Sequence, residues 1–114
     1  MTTWHKISES RKELFPDGQT LTEVEVGGKR VCVGLSKDRL LACAATCPHA
    51  GARMANGYID PLGNLVCPLH RYRFSMENGR NTSGEGYFLK IHRIEERSDG
   101  IFVGIEEKKG LFGS

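Results

Sequence analysis

Two short segments carry the residues of this 114-residue chain that are best suited to hold a metal. The first is CPH at residues 47–49, and the second is CPLH at residues 67–70. Each segment offers one soft thiolate and one borderline imidazole, which together make a set of two sulfur and two nitrogen ligands. The proline after each cysteine stiffens the segment and removes a backbone N–H. We therefore expect two loops that face each other around one metal centre, with the candidate ligands Cys47, His49, Cys67 and His70.

The chain around these segments is patterned for short strands joined by tight turns. Residues 22–26 alternate polar and apolar side chains, which is the period of a half-buried strand. Gly27 and Gly28 then favour a two-residue hairpin, because glycine readily adopts the positive φ angles of such turns. The other predicted strands are at residues 29–35, 40–44, 57–59, 65–66, 73–76, 87–94 and 101–105. Since the only candidate for a helix is a turn at residues 8–14, the predicted fold is all-β, a small antiparallel sandwich or barrel.

Length and charge exclude several classes of protein. At 114 residues the chain is one domain, with no room for a second catalytic domain. Its 16 basic and 14 acidic residues form no long basic block, which argues against nucleic-acid binding. Residues 40–45 are the longest uncharged apolar stretch, far too short to cross a membrane, and the N-terminus has no apolar signal segment. Four cysteines in such a chain indicate reduced thiols or metal ligands, and hence a cytoplasmic protein.

The two segments and the strands on either side of them resemble the Rieske [2Fe–2S] domain over most of the chain. Gly57 and Gly63 stand where such domains turn between the two ligand loops, and Phe74 stands at the aromatic position after the second segment. In Rieske centres two histidines replace two cysteines on one of the two irons. The resemblance implies one [2Fe–2S] cluster, with one iron on the two cysteines and the other iron on the two histidines.

The resemblance also implies how the domain is divided. A Rieske-like base would comprise about residues 1–45 and 75–107, and a cluster-binding subdomain would occupy about residues 46–74. Residues 108–114 would be a tail. The alternative is a structural zinc site with the same four ligands, although zinc fingers space their paired ligands differently.

The absence of two further cysteines indicates the subtype. Rieske proteins of quinol-oxidising complexes carry an extra cysteine in each loop, whereas this chain has Ala52 and Leu69 at those positions. The resemblance is therefore to soluble Rieske-type ferredoxins, which implies a one-electron carrier between a reductase and an oxygenase or other acceptor. This is an electron-transfer role without catalytic residues. The alternatives are a small subunit of a larger oxidoreductase such as nitrite reductase and, in another class, a metal-stabilised binding module or iron–sulfur sensor. The oligomeric state stays open.

Several other residues could suggest additional chemistry. Cys32 and Cys43 lie on apolar strands and are interpreted as small buried hydrophobic residues. His5 and His92 are interpreted as surface residues or as strand residues with satisfied hydrogen bonds. Three arginines near the ligand segments either steer an acidic redox partner or form a solvated rim, namely Arg53, Arg71 and Arg73.

Overall fold

The computed structural model describes residues 2–48, 51–69, 71–82 and 88–106. Two of the four candidate ligands, His49 and His70, lie outside the described residues, as does the proposed tail. Helix is confined in the described part to α1 (Arg11–Leu14) and to two 3-10 turns, Pro16–Gly18 and Met54–Asn56. None of these helices has the length or hydrophobicity that a membrane crossing requires.

Nine strands account for most of the described chain. They are β1 (Thr2–Ser8), β2 (Leu21–Val26), β3 (Lys29–Ser36), β4 (Arg39–Ala44), β5 (Tyr58–Ile59), β6 (Asn64–Val66), β7 (Arg73–Ser75), β8 (Ile91–Arg97) and β9 (Gly100–Glu106). Six form one sheet in the order β1-β9-β8-β4-β3-β2, and the other three form a second sheet in the order β5-β6-β7. Every strand pair is antiparallel, so the predicted all-β antiparallel fold is confirmed.

The described residues form two hydrophobic cores. The first joins alternate residues of β3 and β9, such as Val31, Val33 and Val103, to Leu14 and Phe15 at the end of α1. The second core lies between the large sheet and the small one, and it contains the cysteines together with Met54, Leu65, Phe74 and Met76. The candidate metal ligands therefore belong to the second core.

The predicted hairpin at Gly27 and Gly28 is present, and both residues have positive φ angles, 55° and 82°. The turn between β3 and β4 has the same form although neither of its residues is glycine, since Lys37 and Asp38 have φ angles of 49° and 68°. Two-residue turns of this kind match the twist of the strands that they join.

The strand predicted at residues 87–94 is placed differently. In the structure β8 begins at Ile91 and continues to Arg97. The residues just before β8 do not continue the strand. The backbone N–H of Leu89 instead donates to the carbonyl of Gly79 at 2.8 Å. Tyr87 lies outside the described residues.

Strand β1 was not expected from the sequence pattern. It pairs with β9, but its register shifts between Lys6 and Ser8. In a regular strand, apolar residues that share a face are two positions apart. The large apolar residues Trp4 and Ile7 are three positions apart, and the bulge therefore hides the strand from a search for this period.

Candidate metal centre

The first candidate loop follows β4 and turns tightly around Cys47. The backbone N–H of Cys47 donates to the carbonyl of Ala52 at 2.7 Å, and the carbonyl of Cys47 accepts from the N–H of Gly51 at 2.9 Å. Just outside this turn, Thr46 and Arg53 form an antiparallel bridge. The cysteine is thus fixed at the base of a closed loop.

The second loop follows β6 and repeats the same pattern. The N–H of Cys67 donates to the carbonyl of Tyr72 at 2.9 Å, and the carbonyl of Cys67 accepts from the N–H of Arg71 at 3.0 Å. In both loops, therefore, the cysteine N–H bonds to the fifth residue after it, and its carbonyl bonds to the fourth. This equivalence of the two loops is not apparent from the spacing of their residues in the sequence.

Each loop closes through a residue with positive φ at the fourth position after the cysteine. In the first loop this residue is Gly51, with φ 71°, and in the second it is Arg71, with φ 57°. Glycine adopts this conformation freely, whereas a residue with a Cβ atom is disfavoured there by roughly 1–2 kcal/mol. Arg71 is therefore a strained position, held by the hydrogen bond from its own N–H.

Both candidate cysteines are buried in the second core. Cys47 is 2% exposed and Cys67 is fully buried, and both pack in the cluster that contains Met54, Leu65 and Phe74. The four cysteines of the chain, all within the described residues, form no disulfide. The structure thus brings two thiols from two equivalent loops into one environment shielded from water.

The other two cysteines are neighbours on adjacent strands. Cys32 and Cys43 are opposite one another on β3 and β4, and both are fully buried. The pKa of the Cys43 thiol is strongly raised, first by its hydrogen bond with Cys32 and then by burial. The interpretation of both as small buried residues is confirmed. The thiol of Cys43 is hydrogen-bonded to Cys32, which argues against a role as an additional metal ligand.

The small sheet that supports the second loop depends on Asp60, a residue outside the predicted set of functional residues. Its Oδ1 atom accepts from the backbone N–H groups of Leu62 and Asn64, both at 2.9 Å, and its Oδ2 atom lies 3.5 Å from Nε of Arg73. Burial alone would raise the pKa of Asp60, but the hydrogen bonds from Asn64 and Leu62 and the charge of Arg73 lower it. The DPLG turn at residues 60–63 was the available signal, because aspartate favours such turns.

The three arginines near the loops differ in their ion pairing. Arg73 is paired with Asp60, and Arg53 lies 4.0 Å from a carboxylate oxygen of Glu23. Within the described residues the exposed side chain of Arg71 has no acidic partner. Of the three, Arg71 is the one whose charge is available to a partner protein, and the steering role stays a prediction.

His92 lies on β8 and is only 9% exposed, so it is a buried strand residue rather than a surface residue. Its side chain makes no hydrogen bond with any described residue and lines an open cavity. The mixed pattern around residues 87–94 concealed this, because polar and apolar residues share both faces of that segment.

The thiol pair fits a cluster that needs two sulfur ligands from separate loops. Buried thiolates are suitable ligands for iron, and each candidate histidine follows its cysteine within the same segment of sequence. A large antiparallel sheet, a small sheet and two equivalent cysteine loops together define an iron–sulfur domain. The model of the Rieske [2Fe–2S] domain family matches residues 3–86, and the chain belongs to this family.

Similar proteins include a desaturase and a ferredoxin component of a monooxygenase system. The chain is 33% identical over 107 residues to cholesterol 7-desaturase nvd of Bombyx mori, matching 88% of this chain but only 23% of that protein. It is 24% identical over 82 residues to the ferredoxin component of the alkene monooxygenase system of Xanthobacter autotrophicus (strain ATCC BAA-1158 / Py2), covering 72% of this chain and 67% of the ferredoxin.

A solved structure supports the same fold. The chain is similar to one in the complex of reduced oxygenase and oxidized ferredoxin in carbazole 1,9a-dioxygenase, with 26% identity and a TM-score of 0.76. The match covers 92% of this chain and 95% of the other. The family membership confirms the predicted Rieske fold and the predicted [2Fe–2S] cofactor, and the assignment of the four ligands stays a prediction.

Proposed function

We propose that this protein is a Rieske-type ferredoxin that carries one electron between a reductase and an oxygenase or other acceptor. The observation that carries the proposal is the pair of equivalent loops, each with a buried cysteine, within a fold of the Rieske family. The proposed ligands are Cys47, His49, Cys67 and His70. When bound, the cluster supplies a one-electron couple, and its histidine ligation raises the potential relative to an all-cysteine cluster.

The chain's own residues support transfer to a protein partner. Cys67 is fully buried, whereas Pro68 and Leu69 directly after it are exposed, and Leu69 is 58% exposed. The second loop therefore runs from the core to the surface within two residues. An exposed apolar side chain beside a cation such as Arg71 suits a transient contact with an acidic protein surface.

Electron transfer is favoured over catalysis by how much of each matched protein the chain covers. The match spans only 23% of the desaturase, whereas it spans 67% of the protein named as a ferredoxin component and 95% of the matched chain in the complex of oxygenase and ferredoxin. The proposed organisation is a base of about residues 1–45 and 75–107 and a cluster-binding subdomain of about residues 46–74, in which β5 and β6 lie. The need for reduced thiol ligands supports a cytoplasmic location.

The ligand assignment is tested by loading the purified protein with iron and sulfide. We expect the visible absorption of a Rieske centre and, after reduction, its EPR signal. His70→Ala should abolish both signals, because a nitrogen ligand of one iron is lost. Cys43→Ala is the matched control, since it removes a buried thiol of the same core that belongs to the Cys32 pair. A colourless protein with one zinc per chain would refute the proposal.

The carrier role is tested with an NADH-dependent flavoprotein reductase from an aromatic dioxygenase system and with cytochrome c as the final acceptor. We expect the loaded protein to accelerate NADH-dependent reduction of cytochrome c, and the His70→Ala protein to have no effect. A loaded protein that is reduced by dithionite but never by the reductase, and never accelerates the reaction, would favour the sensor or binding-module alternative.

A further inference from the structure

An open cavity of about 430 Å³ lies where β2, β3 and β4 meet the start of β8, outside the candidate cluster site. It borders the first loop at Ala45, Thr46 and Arg53. Four cationic side chains and one acidic side chain line it, together with His92; the charged residues are Lys29, Arg30, Arg53, Lys90 and Glu23. The cavity is therefore strongly electropositive.

His92 adds a polar side chain to the cavity wall. The residue is 9% exposed, and its side chain makes no hydrogen bond with any described residue. Burial lowers the pKa of His92, and the charges of Lys90 and Lys29 lower it further. A neutral imidazole still has one N–H donor, and because His92 lines the cavity this donor is available to a ligand bound there. A ligand with an acceptor oxygen would satisfy it.

Glu23 restricts the ligand to one that carries a hydrogen-bond donor as well as negative charge. Its Oε2 atom accepts from Nη1 of Arg30 at 2.7 Å, which holds that guanidinium at the cavity wall and leaves its other N–H groups for a ligand. Its Oε1 atom is buried and has no hydrogen-bond partner. A carboxylate oxygen accepts hydrogen bonds only, so a ligand that satisfies it must bring a donor.

We propose that this cavity binds a phosphate group that retains a proton. Its anionic oxygens would be held by Lys29, Lys90 and the N–H groups of Arg30, and one would accept from His92. Its P–OH group would donate to Oε1 of Glu23. Sulfate has the same shape but no proton at neutral pH, so it would leave Glu23 unsatisfied and facing an anion. The site goes beyond the proposed electron-transfer function and does not depend on it.

The proposal is tested by calorimetric titration of the loaded protein with inorganic phosphate and with sodium sulfate at equal ionic strength. We expect phosphate to bind at least about fivefold more tightly than sulfate, a difference near 1 kcal/mol. Glycerol 3-phosphate distinguishes the source of the phosphate group when it is compared with inorganic phosphate at about pH 6, where a large part of a phosphate monoester keeps its P–OH proton. An organic ester that fills the remaining volume would then bind more tightly than the free ion.

Three variants distinguish specific phosphate binding in the cavity from non-specific electrostatic attraction of anions. Glu23→Gln should abolish the preference for phosphate over sulfate, because an amide N–H can donate to sulfate. Lys90→Gln, at an exposed position that should not affect folding, should weaken phosphate binding about fivefold or more. Lys12→Gln removes the same charge from α1, outside the cavity, and should change nothing. Equal binding of sulfate by the wild-type protein, or equal weakening by Lys12→Gln, would overturn the proposal.

Discussion

At the scale of single residues, the second loop depends on contacts that only certain side chains permit. Gly57 is the clearest case, because a Cβ atom at this position would lie 1.9 Å from the carbonyl oxygen of Val66. Val66 directly precedes Cys67, so any shift of its backbone is transmitted to a proposed ligand. Arg71 closes the same loop with a positive φ angle.

We expect Gly57→Ala to impair cluster incorporation and to lower the free energy of unfolding by about 1–3 kcal/mol, as overpacking does. The measurements are the visible absorption per protein chain and denaturant unfolding. Gly28→Ala is the control for cluster content: it strains a positive φ angle of 82° but places its Cβ atom in open space, so it should lower stability while leaving cluster incorporation intact. Full cluster content in Gly57→Ala would contradict this explanation.

The charge of Arg71 should favour the reduced state of the cluster. Neutralising it in Arg71→Gln should lower the midpoint potential by an amount on the order of tens of millivolts, because a nearby cation stabilises the added electron. Arg73→Gln should have a smaller effect, since Asp60 already balances the charge of Arg73. Protein-film voltammetry measures both shifts, and an equal shift in the two variants would show that ion pairing is irrelevant.

At the scale of structural elements, the three-stranded sheet is held by hydrogen bonds as much as by its core. Strand β5 has only two residues and β6 only three, so pairing alone gives little stability. Asp60 compensates by bonding across the turn between these strands to Leu62 and Asn64. The geometry of the second loop therefore depends on an ionised carboxylate.

Because the pKa of Asp60 is lowered in the folded protein, its ionised form contributes stability at neutral pH. This contribution is complete above the ordinary aspartate pKa of about 3.9 and is lost as pH falls through the lower folded-state value. Asp60→Asn should therefore be less stable than wild type at pH 7, and the difference should shrink in acid. Denaturant unfolding from pH 7 to pH 3 measures it, and a difference that does not change with pH would refute the charge effect.

At the scale of the whole molecule, one hydrophobic core stabilises the base and the other surrounds the proposed cysteine ligands. The first core contains no cysteine and joins β3 and β9 to α1. The second contains all four cysteines and the side chains of the small sheet. The base can therefore keep its core when the cluster is lost.

Removal of iron should loosen the small sheet while leaving the base folded. Amides of residues 58–75 should exchange with deuterium faster in the iron-free protein, whereas those of β3 and β9 that face the first core should stay protected. Exchange measured on both forms by mass spectrometry tests this expectation. A uniform loss of protection would show instead that the cluster supports the whole fold.

Much of the base could be predicted because its hairpins are local. The β2–β3 pair follows from alternation and from the predicted turn at Gly27 and Gly28. The strands predicted at residues 29–35 and 40–44 each extend by one residue in the structure, so the turn between β3 and β4 has two residues instead of four. Strand β1 was missed because it pairs with β9, about one hundred residues later, and carries a bulge. Strand β8 was displaced because contacts of Leu89 with Gly79 override its local pattern.

The sequence by itself determined the all-β class, the candidate ligands and the family, because these depend on residue types and on short spacings along the chain. Only the tertiary structure decided that the two cysteine loops share one hydrogen-bond pattern, that Arg71 takes the conformation of Gly51, and that Glu23 and His92 line one basic cavity. The loop hydrogen bonds and the φ angle of Arg71 are local, but they follow no repeating pattern of residue types that a sequence would show. The cavity instead joins residues that are far apart in sequence, and it arises from the packing of whole strands.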